Sequence, residues 1–301
     1  KSMAVQTYTH GVLKKEGEMK QYNVLMVLAD QHNASQIAAA GHSQAITPNF
    51  DRFSEQGVRF TNAFTQNTIC TPSRVSVLSG QYCHNHGYYG LSGPIKPGLD
   101  NLFRCFKSAG YTTAGYGKLH LPNTPRSWVA DDLDFFGDTY ETEDGVIGES
   151  KFLTYLQEHG VRSLEDSWHN EDEYGPGTIS HDAMPSKLPY EHTQEMWCAD
   201  RAMEFMQESG DTPFFVQVAF QKPHHPLLPN QKFWDMYPED IELPPTTMME
   251  PTGRPPHFRA GWDRFQHRKW DYGGDDDSPE NGARRAWRGT LACVTQIDDV
   301  F

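Results

Sequence analysis

Residues 213–220 read PFFVQVAF, and residues 21–29 read QYNVLMVLA. Each is a short, nearly continuous apolar run, the pattern of a strand covered on both faces; a strand with one wet face would alternate apolar and polar residues. Both runs stop at polar clusters, Asp30-Gln31 after one and Lys222-Pro223-His224 after the other. A third strand is predicted over 111–116, running into Gly117-Lys118-Leu119-His120. Helical patterns lie between these strands. Thr47-Pro48-Asn49 opens a helix that passes through Phe50 and Phe53 and closes at Gly57. Residues 71–78 read as a helix with Pro72 in its first turn. Helices are also predicted over 99–109, over 192–209, and from about 283 onward, where Leu291, Val294, Ile297 and Phe301 keep helical spacing. Residues 58–64 alternate like a further strand. Strands alternating with helices predict an α/β fold with a largely parallel central sheet flanked by helices. Functional groups in that class gather beyond the carboxyl ends of the strands, where the polar clusters fall.

Two stretches break the alternation. Residues 122–190 are rich in Asp, Glu, Pro and Gly and read as an excursion from the core, an insertion on the substrate side. Residues 229–282 read as irregular and include the acidic stretch Asp275-Asp276-Asp277. There is no internal repeat.

Composition narrows the class of function. A chain of 301 residues can build a large core, and 37% hydrophobic with 22% charged residues suits a globular protein. No apolar run is long enough to predict a membrane span. The net charge of -14 argues against a nucleic-acid partner or an anionic membrane. An enzyme of this charge acting on an anion needs local positive charge from a metal, Lys, Arg or His. The five cysteines, Cys70, Cys83, Cys105, Cys198 and Cys293, are odd in number, widely spaced and without CxxC. That pattern argues against a disulfide framework and for a reducing, cytoplasmic compartment. Removal of a signal peptide would point to the periplasm or to secretion instead.

Cys70-Thr71-Pro72-Ser73-Arg74 places a thiol just ahead of a predicted helix N-terminus, which favours a nearby anion, with Arg74 one turn along. Asp30-Gln31 offers oxygen donors that suit a hard cation. Lys118 and His120, and Lys222 and His224, supply charge and proton-transfer groups. Each motif alone has a plain packing explanation: a buried thiol, a turn-capping Asp, a satisfied Lys or His. Cys83-His84-Asn85-His86 fits no usual zinc spacing and reads as a loop. The Trp and Arg residues of 254–288 could face a carbohydrate, and packing explains them equally well; the acidic residues of 131–144 read as a solvated face.

Taken in order, the motifs resemble the sulfatase family: C-x-P-S-R at 70–74, G-K-x-H at 117–120, K-P-H-x-P at 222–226, and a metal-binding pair at Asp30-Gln31. The family commonly has Asp-Asp there; Asp-Gln occurs in its choline sulfatase and phosphonate monoester hydrolase branches. The resemblance implies an alkaline-phosphatase-like fold and hydrolysis of a sulfate monoester of a sugar or small alcohol. It implies that a maturation enzyme oxidises Cys70 to formylglycine. One hydroxyl of the hydrated aldehyde attacks sulfur, and the other collapses the adduct and expels sulfate. Arg74, Lys118, His120 and His224 are the implied catalytic groups, and Lys118, Lys222 and His224 the implied substrate contacts. Asp30, Gln31 and the modified Cys70 are the implied ligands of a divalent cation, calcium first and manganese or magnesium next. Thr295-Gln296-Ile297-Asp298-Asp299 is similar to the family helix before a strand that carries further metal ligands. The reading is therefore of one sulfatase catalytic domain over 1–301, incomplete at its C-terminus and inactive by itself. The alternatives are a phosphonate monoester or phosphodiester hydrolase, or an inactive binding module.

Overall fold

The structure is a computed structural model and describes residues 21–122, 128–137, 150–166, 183–267 and 278–301. Its main elements in chain order, short helical turns aside, are β1 (Val24–Ala29), α1 (Pro48–Gln56), α2 (Cys70–Ser79), α3 (Leu102–Ser108), β2 (Thr112–Gly117), β3 (Phe135–Gly137), α4 (Lys151–Glu158), α5 (Gln194–Glu208), β4 (Phe214–Phe220), α6 (Pro256–His267) and α7 (Pro279–Val300). The strands form one parallel sheet in the order β1-β4-β2-β3.

β4 is the spine of the sheet, and all seven of its residues are buried. Phe214, Val216, Val218 and Phe220 face one layer, with Trp197, Cys198, Ala202 and Phe205 of α5, Phe152 and Leu156 of α4, and Ile297 of α7. Phe215 and Ala219 face the other layer, with Leu78 of α2 and Phe103 of α3. Phe215 lies stacked on Phe106, ring centroids 4.3 Å apart. Each such side chain contributes ~1.5–3 kcal/mol by leaving water. Cover on both faces explains why the run carries no polar alternation.

The helix closed by Gly57 is α1. Several boundaries shift by a few residues; α7 begins at Pro279 because Ser278 caps it, accepting from the Asn281 N–H at 3.2 Å. Residues 58–64 form no strand. Among the described residues no neighbour supplies them a ladder, and Val58, Phe60 and Phe64 stand 82%, 80% and 81% exposed. Alternation makes a strand only where a partner completes its hydrogen bonds. The segment read as an excursion contributes β3 to the sheet edge and α4 to the core. The stretch read as irregular holds α6. Cys83–His86 is a helical turn and not a loop; buried His86 reaches Ser76 Oγ at 2.9 Å and pins α2.

The acidic face is corrected in part. Asp132 is buried and accepts from Arg104 at 2.9 and 3.1 Å and from Asn101 at 2.8 Å. Asp134 pairs with Lys107 at 2.7 Å. Pairing lets the Asp132 carboxylate leave bulk water, while Asp134 stays exposed. Residues 138–144 and Asp275-Asp276-Asp277 lie outside the described residues. Arg285 and Arg288 lie over the Trp234 ring, 5.2 and 4.5 Å from its centroid, so these two side chains are engaged in packing. No described helix is long and apolar enough to cross a membrane.

Candidate active site

Parallel pairing carries one residue past each strand end. The Asp30 N–H donates to the Phe220 carbonyl at 3.1 Å, and the Lys118 N–H to the Ala219 carbonyl at 2.8 Å. Three adjacent strands, β1, β4 and β2, thus deliver Asp30, residues 221–224 and Lys118 to one edge of the sheet. Gly117 makes this approach feasible. It has φ +90°, and a Cβ there would sit 2.2 Å from the Ala219 carbonyl oxygen. Only glycine tolerates both conditions.

Helix α2 brings Cys70 to the same edge. Cys70 begins the helix, and Arg74 follows one turn later on the same face. Arg74 is buried; one guanidinium nitrogen donates to the Lys118 carbonyl and another lies 3.4 Å from Asp30 Oδ2. Lys118 Nζ stands 2.7 Å from the same carboxylate oxygen. Arg74 therefore locks the first turn of α2 onto the ends of β1 and β2. Cys70 Sγ lies 3.3 Å from His120 Nδ1.

Two non-glycine residues here have left-handed backbones, Gln31 at φ 59° and His120 at φ 44°. Such conformations cost of order 1 kcal/mol or more each and cluster at functional sites. The reversal at His120 turns the chain back after Lys118 and lets the imidazole meet Cys70.

The electrostatics suit an anion. Asp30, Arg74 and Lys118 are 7%, 6% and 8% exposed, one carboxylate against two cations. Burial by itself would raise the Asp30 carboxyl, but Lys118, Arg74 and His224 outweigh it and hold the group below its ordinary value. Burial pushes His224 below the usual histidine value, and nearby Lys118 pushes the same way. His224 Nδ1 donates to the His225 carbonyl at 2.6 Å, which leaves Nε2 as the ring's other polar atom. A cluster with excess positive charge inside a chain of charge -14 is what an anionic substrate requires.

Of the residues singled out in the sequence, the structure brings together Asp30, Cys70, Arg74, Lys118, His120 and His224. Gln31 is exposed beside Asp30. Lys222 is placed differently: its ammonium lies 2.9 Å from the fully buried Glu195 of α5. Glu195 was not singled out in the sequence; it lies in the first turn of α5. As ligands, Asp30 and Gln31 fit a hard divalent cation in donor type. Among the described residues no three His, Cys, Asp or Glu gather to hold a metal.

A parallel sheet with a thiol, a carboxylate, two cations and two imidazoles at its carboxyl edge defines an α/β protein with its candidate active site at the strand ends. The chain belongs to the sulfatase family, whose model matches residues 22–243. It is 26% identical over 305 residues to the multifunctional alkaline phosphatase superfamily protein PehA of Trinickia caryophylli, covering 93% of this chain and 58% of that one. It is 29% identical over 240 residues to a sulfatase of Formosa agariphila, covering 76% and 44%. Its fold matches the crystal structure of a phosphonate monoester hydrolase of Agrobacterium radiobacter, with TM-score 0.70 at 22% identity, over 93% of this chain and 57% of the other. The chain spans about half the length of the relatives it matches.

Proposed function

We propose that the protein hydrolyses a sulfate monoester of a sugar or small alcohol, with the nucleophile drawn from Cys70. The observation that carries this reading is Cys70 at a helix N-terminus, 3.3 Å from His120 and one turn before the buried Arg74, which reaches the Lys118 carbonyl. Oxidised to formylglycine by a maturation enzyme, Cys70 would supply a hydrated aldehyde. A divalent cation, calcium first, would supply positive charge against the ester oxygens, with Asp30 and Gln31 among its ligands. Lys118 would hold a sulfate oxygen once the anion competes with Asp30 for its ammonium. His120 would take the proton from the side chain at position 70, and His224 would give one to the leaving alcohol. Arg74 keeps the start of α2 against the strand ends.

The test is sulfate release from an aryl sulfate by the whole protein, matured, with and without Cys70→Ala. The variant is expected to lose turnover, and equal activity in the two would sink the assignment. Peptide mass spectrometry of mature material is expected to show Cys70 lighter by roughly 18 Da.

A second reading is a phosphonate monoester or phosphodiester hydrolase, favoured by Gln31 in place of the family's usual Asp; the fold is shared with the phosphonate monoester hydrolase of Agrobacterium radiobacter. Catalytic efficiencies on matched sulfate and phosphonate esters separate the two; a strong phosphonate preference would select the second.

A further inference from the structure

Glu195 is the least expected ion in the core. It is 0% exposed, and a buried carboxylate carries a large desolvation cost. Its Oε2 accepts from Lys222 Nζ at 2.9 Å and from Gln296 Nε2 at 2.9 Å. Gln296 Oε1 accepts from the Asn230 N–H at 2.7 Å, and the Asn230 side chain donates to the Leu188 carbonyl at 2.9 Å. One carboxylate thus joins α5, α7 and the chain just beyond β4. Lys222 lies two residues before His224.

We propose that Glu195 is a positioning residue. Through Lys222 it fixes the turn 221–226, so that His224 is held toward Asp30 and Lys118. The Lys222 charge is answered by Glu195 in the core and does not contact the ester. A buried ion pair adds little net stability over an apolar pair of the same volume. It does add direction, because the turn must sit where the ammonium can reach the carboxylate. The role of His224 rests on the hydrolase reading above; the placement of the turn does not.

Two measurements test this on the whole, matured protein. The first compares kcat and KM over aryl sulfates of graded leaving-group ability. A good leaving group needs no acid, so a displaced His224 harms only the poor ones. Glu195→Gln is expected to lower kcat about tenfold or more on the poorest ester and less than about twofold on the best, with KM little changed. Lys222→Met reproduces this, and Lys222→Arg largely retains wild-type behaviour. If Lys222→Met does not fold, the pair Glu195→Gln with Lys222→Met removes both charges and serves instead. The second measurement needs no turnover: the His224 ring proton resonance shifts and broadens in Glu195→Gln and is kept in Lys222→Arg. A uniform loss over the ester series, or a KM rise in Lys222→Arg, would overturn the proposal. An unchanged His224 resonance in Glu195→Gln would overturn it too. Wild-type protein that releases no sulfate would sink the hydrolase reading alone, and the resonance would still decide the positioning.

Discussion

Asp298→Ala is expected to cost ~3 kcal/mol of stability, because Asp298 caps a helix far from it in sequence. α1 begins after Thr47, whose hydroxyl makes no capping bond to the helix. The first free amides of α1 are met from α7. Asp298 accepts from the Asn49 N–H at 3.0 Å, the Phe50 N–H at 2.6 Å and Asn49 Nδ2 at 3.1 Å. The Asp298 side chain is 1% exposed, so its removal strands two backbone donors away from water. Each stranded donor costs ~1–3 kcal/mol, and loss of an exposed cap costs only ~1 kcal/mol. Burial pushes the Asp298 carboxyl above its ordinary value although these three donors pull it down. The ion therefore already carries a desolvation cost, which argues for the lower half of the ~2–6 kcal/mol that two such donors give. Asp298→Asn keeps one acceptor but turns an amide NH2 toward a backbone N–H, so ~1–2 kcal/mol is expected. Urea unfolding followed by circular dichroism measures both, and hydrogen exchange at the Phe50 amide should accelerate in Asp298→Ala. A loss under ~0.5 kcal/mol, within the range of ordinary surface substitutions, would refute the cap.

Gly117→Ala is expected to cost ~4 kcal/mol or prevent folding, because its Cβ would meet the Ala219 carbonyl at 2.2 Å; yield and urea unfolding report it. In folded protein made without the maturation enzyme, a thiol-alkylating reagent should label exposed Cys105 and part-exposed Cys70, and spare Cys83, Cys198 and Cys293, as read by peptide mass spectrometry. Burial pushes the Cys293 thiol up to about 12, so labelling of Cys293 before unfolding would contradict the packing. Burial lowers His32 to about 4 from 6.5. The unfolded chain thus takes the proton first, so this stability is full above pH 6.5 and is lost as pH falls toward about 4, up to ~3 kcal/mol. His32→Gln should flatten that part of the stability curve. Phe60→Lys should weaken binding of a hydrophobic dye to the 301-residue chain, since Val58, Phe60 and Phe64 are bare.

The sheet was legible because its cause is local. A strand covered on both faces must be apolar along its length, and 214–220 shows that without reference to any partner. The motifs at 70–74, 117–120 and 222–226 were legible for a similar reason: each is contiguous, and strand ends gather in one place in any parallel sheet. Residues 58–64 misled because alternation records a preference, while a strand needs a neighbour that the local sequence does not contain. Asp132 misled because an acid's partner, here Arg104, sits on another element. The same physics separates the two lysines of the site. Lys118 and Lys222 both follow buried strands and both read as contacts for an anion. One faces Asp30 at the sheet edge and the other is drawn into the core by Glu195, 27 residues earlier on α5. The sequence by itself determined the parallel α/β frame and the residue types at its carboxyl edge, since these follow from hydrophobic runs and short spacings. Only the tertiary structure decided which charge answers which, because an ion pair depends on distances between chain segments that no short-range pattern encodes.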